Sequence, residues 1–167
     1  MQNTKKNRRK HKVSLFAEIG ECQTTGNKSL YATVEFKSGQ VISNFGNKEI
    51  FDRPNYVTVQ IVDRQHIMLD PEFLQYINHS CNPNVFFDTQ KRVVIALENI
   101  EIGEEFTFFY PSTEWSMDRG FDCICQSKKC LGYIQGAAHL PPNVLKKYKL
   151  SQYIQQKLKK DDDKNAL

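Results

Sequence analysis

Three cysteines within eight residues form the densest cluster of metal-binding side chains in this chain. Cys123, Cys125 and Cys130 follow a C-x-C-x4-C pattern. Thiol clusters of this kind in a chain without a disulfide framework are typical of zinc sites. The alternative is that the three thiols pack together without a metal. Three thiolates leave a tetrahedral zinc ion one ligand short, so the spacing predicts a closed structural site completed by a residue from elsewhere in the chain.

The fourth zinc ligand is left open by spacing alone. Cys81 is the natural candidate because it lies in a second polar motif, residues 78–84, which reads NHSCNPN. Cys22 and His139 are the alternatives. With four thiolates, the ion has no open position for water or substrate.

Two further motifs stand out between residues 73 and 110. The NHSCNPN motif directly follows the apolar residues Phe73, Leu74, Tyr76 and Ile77. This suggests a buried turn with its amides and imidazole held by hydrogen bonds. Taken alone, the motif slightly favours a purely structural Asx-rich turn. Residues 103–110, GEEFTFFY, predict an aromatic strand that ends in a tyrosine, and such a strand alone is usually core.

The elements that must position these motifs are mostly short strands. Runs of β-branched and aromatic residues separated by turn formers predict a mainly β fold, with strands at residues 13–17, 29–36, 40–45, 56–62, 66–69, 85–88, 92–97 and 105–110. Polar turns at residues 63–65 and 89–91 predict hairpins. A short helix is expected at residues 71–76 and a longer one at residues 143–160.

Charge is divided unevenly along the chain. The first twelve residues hold six Lys or Arg and no acid, whereas residues 13–142 hold ten basic and sixteen acidic side chains. We expect residues 1–12 to be a disordered basic arm, with weak nucleic-acid contact through the basic ends as an alternative. The acidic centre suits a cationic partner.

The chain lacks the signals of secretion and membrane insertion. Its longest aliphatic stretch, residues 93–97, is far shorter than the roughly 18 to 20 residues that a membrane-spanning helix needs. The basic N-terminus has no apolar segment before a cleavage site, and five cysteines are an odd number for a disulfide framework. We therefore expect an intracellular protein, cytoplasmic or nuclear, with no membrane partner.

Taken in order, the three motifs resemble those of the SET-domain protein lysine methyltransferases that carry a post-SET zinc segment. The resemblance includes residues 29–42, which look like the family's opening strand pair, and spans residues 13–138. It implies small curved β-sheets with a pseudoknot-like crossing of the NHSC and tyrosine segments. The implied divisions are a SET domain at 13–118, a post-SET segment at 119–138, and a C-terminal helix and charged tail at 139–167.

The resemblance also implies a role for each matched residue. Asn78 and His79 would bind S-adenosylmethionine, and Tyr110 would be the catalytic tyrosine beside the cofactor. Cys81 would be the fourth zinc thiolate. Backbone contacts to the cofactor would come from Lys28, Ser29 and Leu30, although Asn27-Lys28-Ser29 replaces the family's usual G-x-G and Gly26 lies one place earlier.

The implied reaction is methyl transfer to the ε-amine of a lysine in a protein substrate, through a narrow channel. Phe108 would limit the number of methyl groups, and its lack of a hydroxyl leaves room for more than one. Phe109, Trp115 and Tyr110 would complete the walls. The post-SET segment would fold over the cofactor. We expect a monomer. The alternative functions are a catalytically silent SET-fold binding module and, more distantly, a zinc-stabilised nucleic-acid binder.

Overall fold

Five small sheets, rather than one large one, build the protein. The computed structural model describes residues 8–165, with thirteen strands and two α-helices in that range. The strands are β1 (Arg8–Lys12), β2 (Ala17–Cys22), β3 (Lys28–Ala32), β4 (Val41–Asn44), β5 (Gly46–Phe51), β6 (Thr58–Val62), β7 (Gln65–Asp70), β8 (Asn78–His79), β9 (Val85–Asp88), β10 (Val93–Ala96), β11 (Thr107–Phe108), β12 (Phe121–Asp122) and β13 (Tyr133–Ile134). The helices are α1 (Pro142–Leu145) and α2 (Gln152–Asn165). The predicted mainly β fold with a C-terminal helix is therefore confirmed.

The sheets are short and mostly antiparallel. Three of them have three strands, in the orders β1-β2-β3, β4-β10-β9 and β5-β7-β6, and the pairs β11-β8 and β12-β13 make up the rest. The predicted turns at residues 63–65 and 89–91 connect the hairpins β6–β7 and β9–β10. Arg64 and Arg92 adopt positive φ in or beside these turns, at 53° and 58°.

The apolar faces of the larger sheets meet in one core. Phe87, Phe106, Ile67, Leu69 and Leu30 are all essentially inaccessible to solvent. A second apolar cluster lies against the C-terminal segment and includes Phe109, Leu145 and Ile154. The two clusters meet at consecutive residues, because Phe108 belongs to the first and Phe109 to the second.

The prediction of a disordered arm over residues 1–12 is wrong for its second half. Arg8–Lys12 form β1, which pairs antiparallel with β2, while residues 1–7 lie outside the described residues. Lys10 Nζ lies 2.6 Å from Glu18 Oε1 and 5.2 Å from the centre of the Tyr31 ring. A carboxylate and an aromatic face therefore stabilise charge that would otherwise favour a solvated coil.

Strand boundaries in the N-terminal half also differ from the sequence prediction. Residues 14–16 form bends, and the strand expected at 13–17 begins only at Ala17. β5 was missed because its side chains are almost all exposed and show no apolar alternation. The strand exists because it pairs with β7, which no local pattern reveals.

The predicted helix at residues 143–160 divides into two. α1 ends at Leu145, and α2 begins only at Gln152. Ser151 Oγ accepts a hydrogen bond from the Ile154 N–H at 3.3 Å, as a helix N-cap does. The Tyr148 side chain, between the helices, is therefore free to pack against the core. None of the helices among residues 8–165 is long and apolar enough to cross a membrane.

Candidate functional site

The two central motifs meet in a short parallel pairing. β8 lies beside β11, with Asn78 opposite Thr107 and His79 opposite Phe108. The Ser80 N–H donates to the Phe108 carbonyl oxygen at 3.0 Å. Residues almost thirty positions apart are therefore held side by side, which is the meeting of motifs that the resemblance predicted.

Asn78 joins this pairing to β3. Its Nδ2 donates to the Lys28 carbonyl oxygen at 3.0 Å and to Ser29 Oγ at 2.9 Å. Leu30 is fully buried, and its carbonyl oxygen accepts the Phe106 N–H at 2.9 Å. The structure thus gathers the residues predicted to contact the cofactor, although Leu30 contributes its side chain to the core.

The replacement of G-x-G leaves no backbone strain at residues 27–29. Gly26 takes the left-handed conformation, with φ of 70°, and no atom lies within 4 Å of where its Cβ would be. The non-glycine residues with positive φ in the described chain are Arg64, Arg92 and Gln126. The positive φ in this turn therefore falls on Gly26, which adopts it without cost because it has no Cβ.

His79 connects the tyrosine segment to a cysteine. Its Nδ1 accepts the Tyr110 N–H at 3.2 Å, so the proton of the neutral ring lies on Nε2. Nε2 is 3.4 Å from Cys81 Sγ and can donate to it. Burial lowers the pKa of His79 to about 4, so the ring is neutral at physiological pH. The imidazole therefore holds the backbone of Tyr110 in place and does not supply charge.

Tyr110 presents a protonated hydroxyl. Burial raises the pKa of this phenol far above its usual range, and the charges of Glu114 and Glu105 add to the shift. The His79 ring packs edge-on to the Tyr110 ring, with centroids 5.2 Å apart. A fixed, neutral hydroxyl suits hydrogen bonding to a reacting group better than proton abstraction.

An aromatic cavity opens beside Tyr110. Its walls include Phe108, Phe121, Ile77 and Phe87, and residues 54–59 form part of its rim. Tyr56, on that rim, is 95% exposed. The cavity therefore leads from solvent to the tyrosine along mostly apolar surfaces.

Two residues predicted to line this channel lie elsewhere. Phe109 stacks on Tyr148, with ring centroids 3.7 Å apart, and Trp115 packs against the same second apolar cluster. Because successive side chains in a strand point to opposite faces, Phe108 and Phe109 cannot both face the cavity. Of the predicted wall residues, Phe108 and Tyr110 line it, and Phe121 takes the place expected for Phe109 and Trp115.

The four predicted zinc ligands come together. The sulfur atoms of Cys81, Cys123, Cys125 and Cys130 all lie within 4.8 Å of one another. Cys81 Sγ and Cys123 Sγ are 3.8 Å apart. A tetrahedral zinc ion with Zn–S bonds of about 2.3 Å requires S···S distances of about 3.8 Å. The donor set and its geometry therefore fit zinc, with Cys81 rather than Cys22 or His139 as the fourth ligand.

The surrounding protein groups stabilise the thiolate form of Cys81 poorly. Burial raises the pKa of the Cys81 thiol far above its usual range, opposed by the Leu131 N–H, which donates to its sulfur at 3.4 Å. The neighbouring thiols raise it further. A divalent cation reverses this preference, because it deprotonates coordinating thiols.

One site residue was missed by sequence reasoning. Glu114 is only 6% exposed and lines the same cavity as Tyr110. The available signal was a lone acid between Thr113 and Trp115, four residues after the tyrosine. That pattern resembles an ordinary surface turn, because the residues that bury Glu114 are distant in sequence.

Comparisons with known proteins agree with this architecture. The family profile for the SET domain matches residues 27–111. "Methyltransferase flvH" of Aspergillus flavus is 34% identical over 128 residues, which cover 75% of this chain and 71% of that protein. A "Histone-lysine N-methyltransferase, H3 lysine-4 specific" of Emericella nidulans is 42% identical over 67 residues, but these cover 36% of this chain and only 6% of that protein.

A solved structure supports the fold. KRYPTONITE, crystallised with mCHH DNA, an H3(1-15) peptide and SAH, superposes with a TM-score of 0.56 at 20% identity, over 73% of this chain and 30% of that one. The profile match covers half of the chain, and flvH is similar over most of both sequences. As the motifs predicted, the chain belongs to the SET domain family.

Proposed function

We propose that this chain transfers methyl groups from S-adenosylmethionine to the ε-amine of a lysine in a protein substrate. The observation that carries the proposal is the β8–β11 pairing, which sets Asn78 and His79 beside the strand that leads into Tyr110. Asn78 and His79, with the backbone of Lys28 to Leu30, would hold the cofactor. Bound S-adenosylmethionine supplies an electrophilic methyl group on a sulfonium.

The cavity supplies what the amine needs. A lysine side chain ordinarily has a pKa of about 10.4, and only its neutral form has a free lone pair. Apolar walls from Phe108 and Phe121 disfavour the ammonium form by desolvation. The Tyr110 hydroxyl, kept protonated by burial, orients the amine and stabilises charge that develops during transfer.

The four clustered cysteines would hold zinc as a structural ion. Cys81 lies in the core, whereas the other three lie in the segment after Tyr110, so the ion ties residues 121–131 to the core. This segment contributes Phe121 to the cavity wall. Zinc therefore acts by ordering part of the substrate channel, and it contacts no reacting group.

Phe108 would allow more than one methyl group to be added. It packs between Phe87 and Tyr110, with ring centroids 4.7 Å from each. Because it has no hydroxyl, it leaves room for a second or third methyl group. A mass-spectrometric time course that starts from an unmethylated peptide substrate should pass beyond the monomethyl product. A Phe108→Tyr variant should stop earlier, and monomethyl product alone from the unmodified protein would contradict this.

The substrate itself is proposed only as a class. The named relatives include histone-lysine enzymes, and the acidic character of residues 13–142 suits a lysine-rich partner. An intracellular location fits four clustered cysteines that stay as thiols. The silent binding module is less favoured because Asn78, His79 and Tyr110 are all retained. Monomeric state and nucleic-acid contact by the basic ends stay predictions.

The experiment joins cofactor binding to turnover. Zinc-loaded protein is titrated calorimetrically with S-adenosylmethionine, then incubated with tritiated cofactor and an array of lysine peptides, each paired with its Lys→Ala version. We expect cofactor binding, and label only on peptides that keep the lysine. Tyr110→Phe is the control and should bind cofactor but transfer little label. Absent cofactor binding, or equal label on the Lys→Ala peptides, would refute the proposal.

A further inference from the structure

Glu114 is a buried carboxylate that lines the substrate cavity together with Tyr110 and Phe108. It is fixed relative to the tyrosine, because its N–H donates to the Tyr110 carbonyl oxygen at 3.0 Å. Its charge also raises the pKa of the Tyr110 hydroxyl, after the larger effect of burial. The two groups therefore lie within electrostatic reach of each other inside one cavity.

The two oxygens of Glu114 are not equivalent. Oε1 accepts the Gln60 N–H at 2.8 Å and the Thr113 hydroxyl at 3.1 Å. Among the described residues, Oε2 accepts no hydrogen bond, and His66 Nδ1 lies 3.8 Å from it. Buried carboxylate oxygens are normally satisfied. Among the described residues, His66 Nδ1 is also buried without a hydrogen-bond partner. Because Glu114 lines the cavity, Oε2 is its oxygen with capacity left to accept a hydrogen bond from a cationic group there.

We propose that Glu114 binds the substrate ammonium group through Oε2 and accepts the proton that this group must lose before methylation. This inference rests on the proposed function, since it assigns a further residue to the same site. It makes Glu114 a catalytic residue, in direct contact with the substrate amine.

The proton step balances without a further reactant. The N–H bond of the ammonium breaks and its electron pair stays on nitrogen, while an O–H bond forms on Oε2. The pair changes from ammonium and carboxylate to neutral amine and carboxylic acid. After the product leaves, the acid releases the same proton to solvent through the open cavity. Each turnover therefore returns Glu114 to its starting state.

The environment of Glu114 suits this exchange. Burial raises its pKa to about 7, and hydrogen bonds from the Gln60 N–H and the Thr113 hydroxyl limit the shift. The desolvating cavity lowers the pKa of the incoming amine, so the two values approach each other. Proton transfer between groups of similar pKa has little thermodynamic cost.

Several other ionisable groups lie around Glu114. Those that face it or share the cavity are His66 from β7, Tyr110 in the preceding turn, Tyr153 with Asp63 through Gln60, and Asp118 and Arg119 at the exposed rim. Burial lowers the pKa of His66, so it is neutral near pH 7. The pKa of each tyrosine is raised, chiefly by burial. Of these buried groups, Glu114 is the one that changes charge near neutral pH.

Butylammonium, the lysine side chain without its backbone, is the probe that tests the proposal. Its binding to the zinc-loaded full chain at pH 8, without cofactor, can be followed by NMR titration, with uncharged 1-butanol as the ligand control. We expect Glu114→Gln to weaken butylammonium at least tenfold and to leave 1-butanol unchanged. Glu35→Gln makes the same chemical change at an exposed residue that does not line the cavity, and it should alter either affinity less than twofold.

A measurement on the unmodified protein keeps the test decisive if Glu114→Gln folds poorly. Butylammonium affinity should rise about tenfold from pH 6 to pH 8, as the carboxylate fraction increases through its pKa. A flat pH profile, no butylammonium binding, or equal losses in both variants would overturn the proposal.

The test separates this inference from the proposed function. If the protein methylates lysine peptides but Glu114→Gln does not weaken butylammonium binding, the inference alone fails. If the protein binds no S-adenosylmethionine and methylates no peptide, the proposed function fails, and the inference that rests on it fails too.

Discussion

Two polar clusters attach the C-terminal third of the chain to the core, and they are built in opposite ways. The sulfur cluster consists of Cys81, Cys123, Cys125 and Cys130, and Cys130 is exposed. The carboxylate network consists of Gln60, His66, Glu114 and Tyr153, which are all at most 8% exposed. The first comes mostly from one short segment, whereas the second joins β6, β7, the turn after Tyr110 and α2.

The clusters differ in how their polar atoms are satisfied. Gln60 donates to Glu114 and Tyr153 and accepts the Trp115 N–H at 2.9 Å, so the network is stabilised largely by protein groups. The sulfur cluster gathers four thiols that need a cation to ionise together. We conclude that the segment at residues 121–131 depends on a metal, whereas the attachment of α2 does not.

The largest expected effect comes from removing one sulfur. Cys81→Ser should abolish stoichiometric zinc binding, since serine is a poor zinc ligand and structural zinc contributes about 10–16 kcal/mol in zinc-finger peptides. Zinc content and amide hydrogen exchange measure this. Exchange should increase at residues 121–131 and stay slow in β6. Cys22→Ser, outside the cluster, is the matched control, and full zinc content in Cys81→Ser would contradict the assignment.

A change on the cavity side should affect catalysis without affecting stability. Tyr110→Phe removes a hydroxyl that orients the amine, and loss of one such donor typically lowers kcat by about 10²–10³. Zinc content, melting temperature and cofactor affinity should stay at their unmodified values. Single-turnover assays with a peptide substrate measure the rate of methyl transfer. A loss below tenfold would show that another group performs this role.

The carboxylate network should reveal itself in the pH dependence of stability. Glu114 has a pKa of about 7 in the folded protein, raised by burial, against about 4.3 when unfolded. The folded state therefore holds more protons between these values, and its stability falls as pH rises from about 4.5 to 7. Urea unfolding should show wild type losing about 3 kcal/mol relative to Glu114→Gln over that range. If the unfolding free energies of wild type and Glu114→Gln changed with pH in parallel, the raised pKa of Glu114 would be contradicted.

The smallest effect tests a hydrogen bond between the sulfur cluster and the second apolar cluster. The Tyr148 hydroxyl donates to the Cys81 carbonyl oxygen at 2.9 Å, while its ring stacks on Phe109. Tyr148→Phe keeps the stacking and should cost about 1 kcal/mol of unfolding free energy. Tyr56→Phe is the control, since Tyr56 is 95% exposed and should change little. Equal effects of the two variants would show that the hydrogen bond contributes nothing.

The contrast between the clusters also separates the features that could be predicted from the sequence. A zinc site can be predicted from the sequence because Cys123, Cys125 and Cys130 lie close together in it. The NHSC and GEEFTFFY motifs are short in the same way, and they indicate the family. Short apolar runs and polar turns were enough for the mainly β fold and two of its hairpins. These features depend on residues that are close together in the sequence, so they can be predicted from the sequence alone.

Tertiary contacts decided the rest. The sequence places Phe108 beside Phe109, but only the packing of β11 between the two apolar clusters determines which ring faces the cavity. Strand Arg8–Lys12 forms because it pairs with β2 and because the charge of Lys10 lies over the Tyr31 ring. Glu114 became a buried acid because Gln60, 54 positions earlier, closes over it. Burial and side-chain direction depend on distant partners, and these determine which residues of a recognisable motif can act.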